Sequence, residues 1–234
     1  SVNPDGIEPP DSNPYDVEAL DANTALVADA GGNDLLIVDT AGNIDWIATL
    51  PLEIVSTANI KSLAGCPTPP IPDLAFACGL PDMMPTEPVA TSVAIGPDGA
   101  YYVSELKGFP FPTGESRIGR IDPAARHAAC GTSDQCSIVA DGFTSIVDLA
   151  FGSNGTLFVT ELDEASAAAV ELGVFFGLPD VLQGGTVNAC DSRTWTCSAV
   201  ATEVPIPTAV AVHGMGNVYY TQSGLGPAQI VRLK

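Results

Sequence analysis

The sequence predicts an all-β chain arranged as a β-propeller, on three observations. A strand–turn–strand pattern recurs four times in one register: Asp16 to Asp29, Ser92 to Glu105, Asp148 to Glu161 and Ala209 to Gln222 are each separated by 13 positions. With 23 Gly, 20 Pro and only 15% charged residues in 234 positions, the composition suits a turn-rich β protein with a substantial core. Short apolar, β-branched and aromatic runs alternate with Gly, Pro, Asn and Asp clusters, a strand period rather than a helix period.

The strands follow unit by unit. First strands are read at Thr91 to Ile95 and Ile146 to Phe151, tight turns at Gly96 to Gly99 and Gly152 to Gly155, and second strands at Ala100 to Val103 and Thr156 to Val159. Third strands fit Asp34 to Val38, Arg117 to Ile121, Gly185 to Ala189 and Gln229 to Leu233. Fourth strands fit Ile44 to Ala48, Ser137 to Ala140 and Ser198 to Thr202. Four antiparallel strands per unit make a propeller blade. The predicted single domain, 1–234, therefore has units at about 13–50, 90–141, 144–203 and 206–234. The closing residues are 76, 56 and 61 positions apart, and a blade takes about 40 to 50 residues, so each gap holds an insertion. The main insertions are 52–89, rich in proline, and 163–184, whose apolar face is expected to dock on a neighbour or fold back over its own blade.

The fourth unit stops at its third strand, and Ser1 to Asn13 carries Pro and Asp turn formers without a strand-like run. The expectation is the C-terminal part of a six-bladed propeller, or an open propeller completed by strands from other chains.

A formal charge of −20, from 8 Lys and Arg against 28 Asp and Glu, repels phosphate backbones and anionic headgroups, which argues against nucleic acid. It suits cations and basic partners, and also serves solubility. No apolar run reaches the roughly 20 residues of a membrane-spanning helix. Six cysteines fall into close pairs, Cys66 with Cys78, Cys130 with Cys136 and Cys190 with Cys197. None has Cys-x₂-Cys spacing or an accompanying His, so disulfides are favoured over zinc. They imply an oxidising compartment and a secreted, extracellular or periplasmic protein whose leader has been removed.

If the ends of the second strands share one rim, Asp29, Glu105, Glu161 and Gln222 converge there, with Asp16 and Asp148 joining from the first strands. Such an oxygen set suits Ca²⁺. The alternative is that these residues cap strand ends. Nucleophilic catalysis lacks support: the two histidines, His127 in a hairpin loop and His213 in a turn, have no nucleophile at a motif spacing. Glu105 and Glu161 are the candidates for carboxylate acid–base work. Phe109 and Phe111 are read either as an apolar wall beside Glu105 or as loop anchors.

Four stretches carry a resemblance: NPYD from Asn13, ADAGGNDLLIVD from Ala28, SELKGFPFPTG from Ser104 and DGFTSIVDLAFG from Asp141. Together, and most specifically in GFPFP beside G-x-x-R-I, the chain resembles the ScyD/ScyE family of secreted propeller-like proteins of the scytonemin-cluster type. It resembles more distantly the NHL and gluconolactonase-like six-bladed propellers, which implies a metal at the axis. The cysteine pairs and the 52–89 insertion depart from the family pattern. Two functions follow as expectations: a secreted binding or extracellular assembly protein, with a protein partner, self-association or a small-molecule ligand; or an axial-metal enzyme, a lactonase, lyase or oxidative-coupling factor.

Overall fold

In the computed structural model, which describes Pro4, Gly6, residues 11–214 and residues 216–233, the four predicted units are antiparallel blades. Blade one is β1 (Pro14–Ala19), β2 (Thr24–Asp29), β3 (Asp34–Asp39) and β4 (Ile44–Thr49). An insertion follows, with β5 (Glu53–Ser56), α1 (Ala58–Leu63), a 3-10 turn over Pro72–Gly79 and β6 (Met83–Thr86). Blade two is β7 (Ala90–Ile95), β8 (Tyr101–Glu105), β9 (Ser116–Ile121) and, after the short β10 (Ala128–Ala129), β11 (Cys136–Phe143). Blade three is β12 (Ile146–Phe151), β13 (Thr156–Glu161), β14 (Gly185–Asp191) and β15 (Thr196–Val204), with α2 (Ala167–Phe175) inserted after β13. Blade four has three strands among the described residues: β16 (Val210–His213), β17 (Asn217–Gln222) and β18 (Gln229–Arg232).

The shared register has a shared cause. The Gly99 N–H closes on the Gly96 carbonyl and the Gly155 N–H on the Gly152 carbonyl, both at 2.9 Å, with positive φ at Gly99 and Gly155. A side chain disfavours that conformation, so glycine fixes the turn and the turn fixes the pairing. Alternation then sends one face of each blade into the next. Leu26, Ala28, Leu35 and Ile47 meet Val93, Val103 and Ile121 between blades one and two. Ile118 and Phe143 meet Ile146, Leu157 and Val159 between blades two and three. Val187 meets Val210 and Val218 between blades three and four. Each fully buried aliphatic side chain contributes roughly 1.5–3 kcal/mol. Among the described residues no such cluster joins blade four to blade one.

The connections hold what the repeat could not show. The loop carrying His127 is not a simple hairpin: it leaves blade two, and β10 adds to β4 of blade one as a parallel fifth strand. His127 stacks on Trp46 at 4.7 Å, its Nε2 lies 2.8 Å from Asp45 Oδ1, and Cys130–Cys136 closes the base of this strap. The two insertions pack on each other, so the buried face of α2 meets the first insertion rather than folding back over its own blade. Ala168 and Leu172 of α2 meet Ile60, Ala64, Leu74 and Ala77 of the first insertion, forming a cap with its own core. Phe111 packs against that core, and Phe109 lies edge-on to it at 6.0 Å; both anchor the cap rather than wall Glu105. Cys66–Cys78 ties the cap and Cys190–Cys197 crosses β14 and β15, so all three pairs form as expected. Three disulfides belong to an oxidising environment, and no described helix is long and apolar enough to cross a membrane. The reading of Ser1 to Asn13 falls largely outside the described residues; residues 11–13 enter β1 without strand pairing.

Candidate functional site

The six residues expected at one rim separate into distinct sets. Asp16 and Asp148, at equivalent positions of β1 and β12, come together on Ser92, their counterpart in β7. Ser92 Oγ lies 2.7 Å from Asp16 Oδ2 and 3.0 Å from Asp148 Oδ1. Each of the three also receives a backbone N–H from the following blade: Val93 to Asp16 at 2.9 Å, Leu149 to Ser92 at 3.1 Å, Val210 to Asp148 at 2.6 Å. They are inter-blade clips. In blade four the same position is Ala209, which has no side-chain acceptor to pass onward.

The second-strand ends behave differently in each blade. Asp29 caps a turn: Oδ1 accepts the N–H groups of Asn13 (2.6 Å), Gly31 and Gly32 (3.0 Å each), and Oδ2 accepts the Ser12 hydroxyl at 2.5 Å. Glu105, 1% exposed, lies 2.5 Å from Lys107 Nζ and accepts Arg117 Nε and Nη2 at 3.0 and 3.1 Å. Glu53, from the cap, pairs with the same two cations. Two carboxylates and two cations therefore balance beneath the cap, with the Lys107 side chain fully buried. Gln222 donates to Gln229 on the exposed side of blade four.

Glu161 has the same strand position and, among the described residues, no cation. Register explains the contrast: Ser104 faces Ile118, which sets Arg117 beside Glu105, whereas Glu161 faces Thr186. Its oxygens accept the Thr144 N–H and the Asn188 amide, both at 2.5 Å. Burial, reinforced by the nearby Glu164 charge and only partly offset by those bonds, pushes its carboxyl up to about 7. Glu161 borders a cleft of about 520 Å³ between blades two and three, with Asp141, Phe143, Glu164, Asn188 and Glu203; no Lys or Arg lines it.

These sets do not fit the expected Ca²⁺ centre. The Asp29 and Asp16 oxygens are occupied by N–H and O–H donors, those of Asp148 by the Leu149 and Val210 N–H groups and the Ser92 hydroxyl contact, and Glu105 by cations. Among the described residues no group of three or more His, Cys, Asp or Glu stands close enough to hold a metal ion. Alignment of strand ends preserved sequence position but not direction, because each end bends into a different loop. Lys107, Arg117, Glu53, Thr144 and Asn188 join these sets from positions that the four-fold repeat does not mark. The residue opposite each closing acid on the third strand was the available signal.

Neither a family profile nor a curated protein matches the sequence. Solved structures do share its shape. A putative gluconolactonase is 12% identical with a TM-score of 0.51, the match covering 95% of this chain and 63% of that one. A gluconolactonase from Xanthomonas campestris is 14% identical with a TM-score of 0.50, covering 89% and 53%. A calcium-binding regucalcin from Agrobacterium tumefaciens is 13% identical with a TM-score of 0.48, covering 92% and 55%. At these identities the first two show the propeller fold alone, and the chain spans little more than half to 63% of their length.

Proposed function

We propose that this chain is a ligand-binding β-propeller of an extracytoplasmic compartment, secreted as the resemblance to the ScyD/ScyE family implies, and that its working site is the cleft between blades two and three. The observation that carries this reading is Glu161, the closing acid that combines a bordering cleft with no cationic partner among the described residues, whereas Asp29 is spent on its turn and Glu105 on Lys107 and Arg117. Near neutral pH its carboxyl exists in both forms, so it can donate a hydrogen bond to a ligand oxygen or accept one. Asp141, Glu164 and Glu203 around it favour hydroxyl-rich neutral or cationic small molecules and oppose anions. Proton transfer to or from a bound carbonyl is the enzymatic form of the same site, without the axial metal.

The test is an NMR titration with neutral sugar lactones, polyamines and sugar acids at pH 5.5 and 8, on the wild type and Glu161→Gln. Saturable shifts around Asn188 and Thr186 are expected from the neutral or cationic compounds, with a pH dependence that Glu161→Gln removes. No saturable shift from any class, or preferred binding of the acids, overturns the reading.

A second reading, association through the open flanks, rests on Val17 and Ile44, 64% and 52% exposed on the face of blade one turned from blade two, and on Ile230, 78% exposed on blade four. Light scattering on the intact chain tests it: a strictly monomeric mass at all concentrations removes it.

A further inference from the structure

Asp148 sits where the joints between all four blades meet. Its Oδ1 accepts the Leu149 N–H at 2.9 Å and touches Ser92 Oγ, its Oδ2 accepts the Val210 N–H, and Ser92 continues to Asp16. Proton counting limits this arrangement. A serine hydroxyl has one hydrogen. With both carboxyls ionised, that hydrogen serves one of them, and the other oxygen–oxygen contact sets lone pairs against lone pairs. A proton on Asp148 Oδ1 removes the conflict: it is donated to Ser92 Oγ, whose own hydrogen goes to Asp16 Oδ2. Ser92 then donates once and accepts twice, within its capacity, and Asp148 Oδ2 still accepts from Val210.

Among the described residues the surrounding strands give the second charge no cation. Neither Lys nor Arg occurs in β1, β7, β8, β12, β13 or β16. From β1 come Asp16, Tyr15 and Glu18, while β7 carries no ionisable group. From β16 comes His213, exposed three positions beyond Val210, and from β8 Tyr101 and Tyr102. Glu105 and Glu161 close β8 and β13 inside their own partner sets.

We propose that the Asp148–Ser92–Asp16 cluster is a proton-operated joint, closed while Asp148 holds its proton and loosened when rising pH removes it. Burial, followed by the Asp16 charge, lifts the Asp148 carboxyl to about 6, and burial then the two aspartates raise the Tyr15 phenol, consistent with unrelieved negative charge there. The joint does not depend on the ligand cleft. The retained proton favours the closed form below about pH 4 through 6, so closure weakens as pH rises across that window and is level above it.

Hydrogen exchange at the Val93, Leu149 and Val210 amides, corrected for intrinsic rates, tests this on the whole chain. In the wild type, protection is expected to fall by up to about tenfold per pH unit between pH 4 and 6. In Asp148→Asn, whose amide supplies a hydrogen to Ser92 and whose oxygen still accepts from Val210, protection stays flat. A flat wild-type profile, or the same slope in Asp148→Asn, overturns the joint. A carboxyl-carbon titration of wild-type Asp148 decides independently of any variant: a midpoint near 6 supports it and one near 4 refutes it.

Discussion

Glu161 and Asp148 both hold protons into a range where an exposed carboxylate has lost its own, and burial is the leading cause in each. Their linkage to folding has one sign. Because Glu161 is raised to about 7 from an ordinary 4.5, the folded chain binds the extra proton between those values and stability falls as pH rises through them. The whole effect is on the order of 3 kcal/mol, and Glu161→Gln is expected to flatten that part of a urea-midpoint profile from pH 4.5 to 7.5. Glu105 shows the opposite solution to the same burial, neutralisation by Lys107 and Arg117. Removing one cation leaves Glu53 and Glu105 sharing the other, so Lys107→Met is expected to cost about 3–5 kcal/mol in urea unfolding. A loss below about 1 kcal/mol would show that the network does not balance as described. Sequence position pointed to Glu105 and Glu161 as equals; the neighbour across the strand made them different.

At the scale of elements, the strands were legible because alternation and glycine turns are local. The strap and the cap were not, since their partners lie far away in sequence: β10 joins β4, and α2 joins the segment around Cys66–Cys78. A proline-rich run and an alanine-rich run each look like loop or isolated helix until they meet. Close approach of strands also has a definite point. A Cβ at Gly185 would lie 2.1 Å from the Glu161 carbonyl oxygen and 2.7 Å from that of Leu162, both backbone atoms unable to swing aside. Gly185→Ala is therefore expected to destabilise by about 1–3 kcal/mol and to disturb the Glu161 cleft, read as a lower melting temperature with shifted Asn188 resonances. Replacing Cys130 and Cys136 together with Ser should lose about 2 kcal/mol by the loop-entropy relation and increase exchange at Cys130 and His127 amides, which bond to blade one.

Over the whole molecule, three interfaces between consecutive blades are filled, while Val17 and Ile44 on blade one and Ile230 on blade four stand exposed. Val17→Glu with Ile230→Glu should leave unfolding midpoints within about 0.5 kcal/mol, as both side chains are exposed, while abolishing any association seen by light scattering. Unchanged association would move the contact elsewhere. The sequence by itself determined the propeller class, the register of its units and the pairing of its cysteines, because turn chemistry, period-two alternation and short cysteine separations are properties of neighbouring residues. Only the tertiary structure decided that Asp16 and Asp148 share a serine, that Glu105 is neutralised, and that Glu161 lies buried beside a cleft with its carboxyl pushed up. Protonation and pairing depend on which groups from distant strands are brought within a few ångströms of each other, and on how completely water is removed from around them.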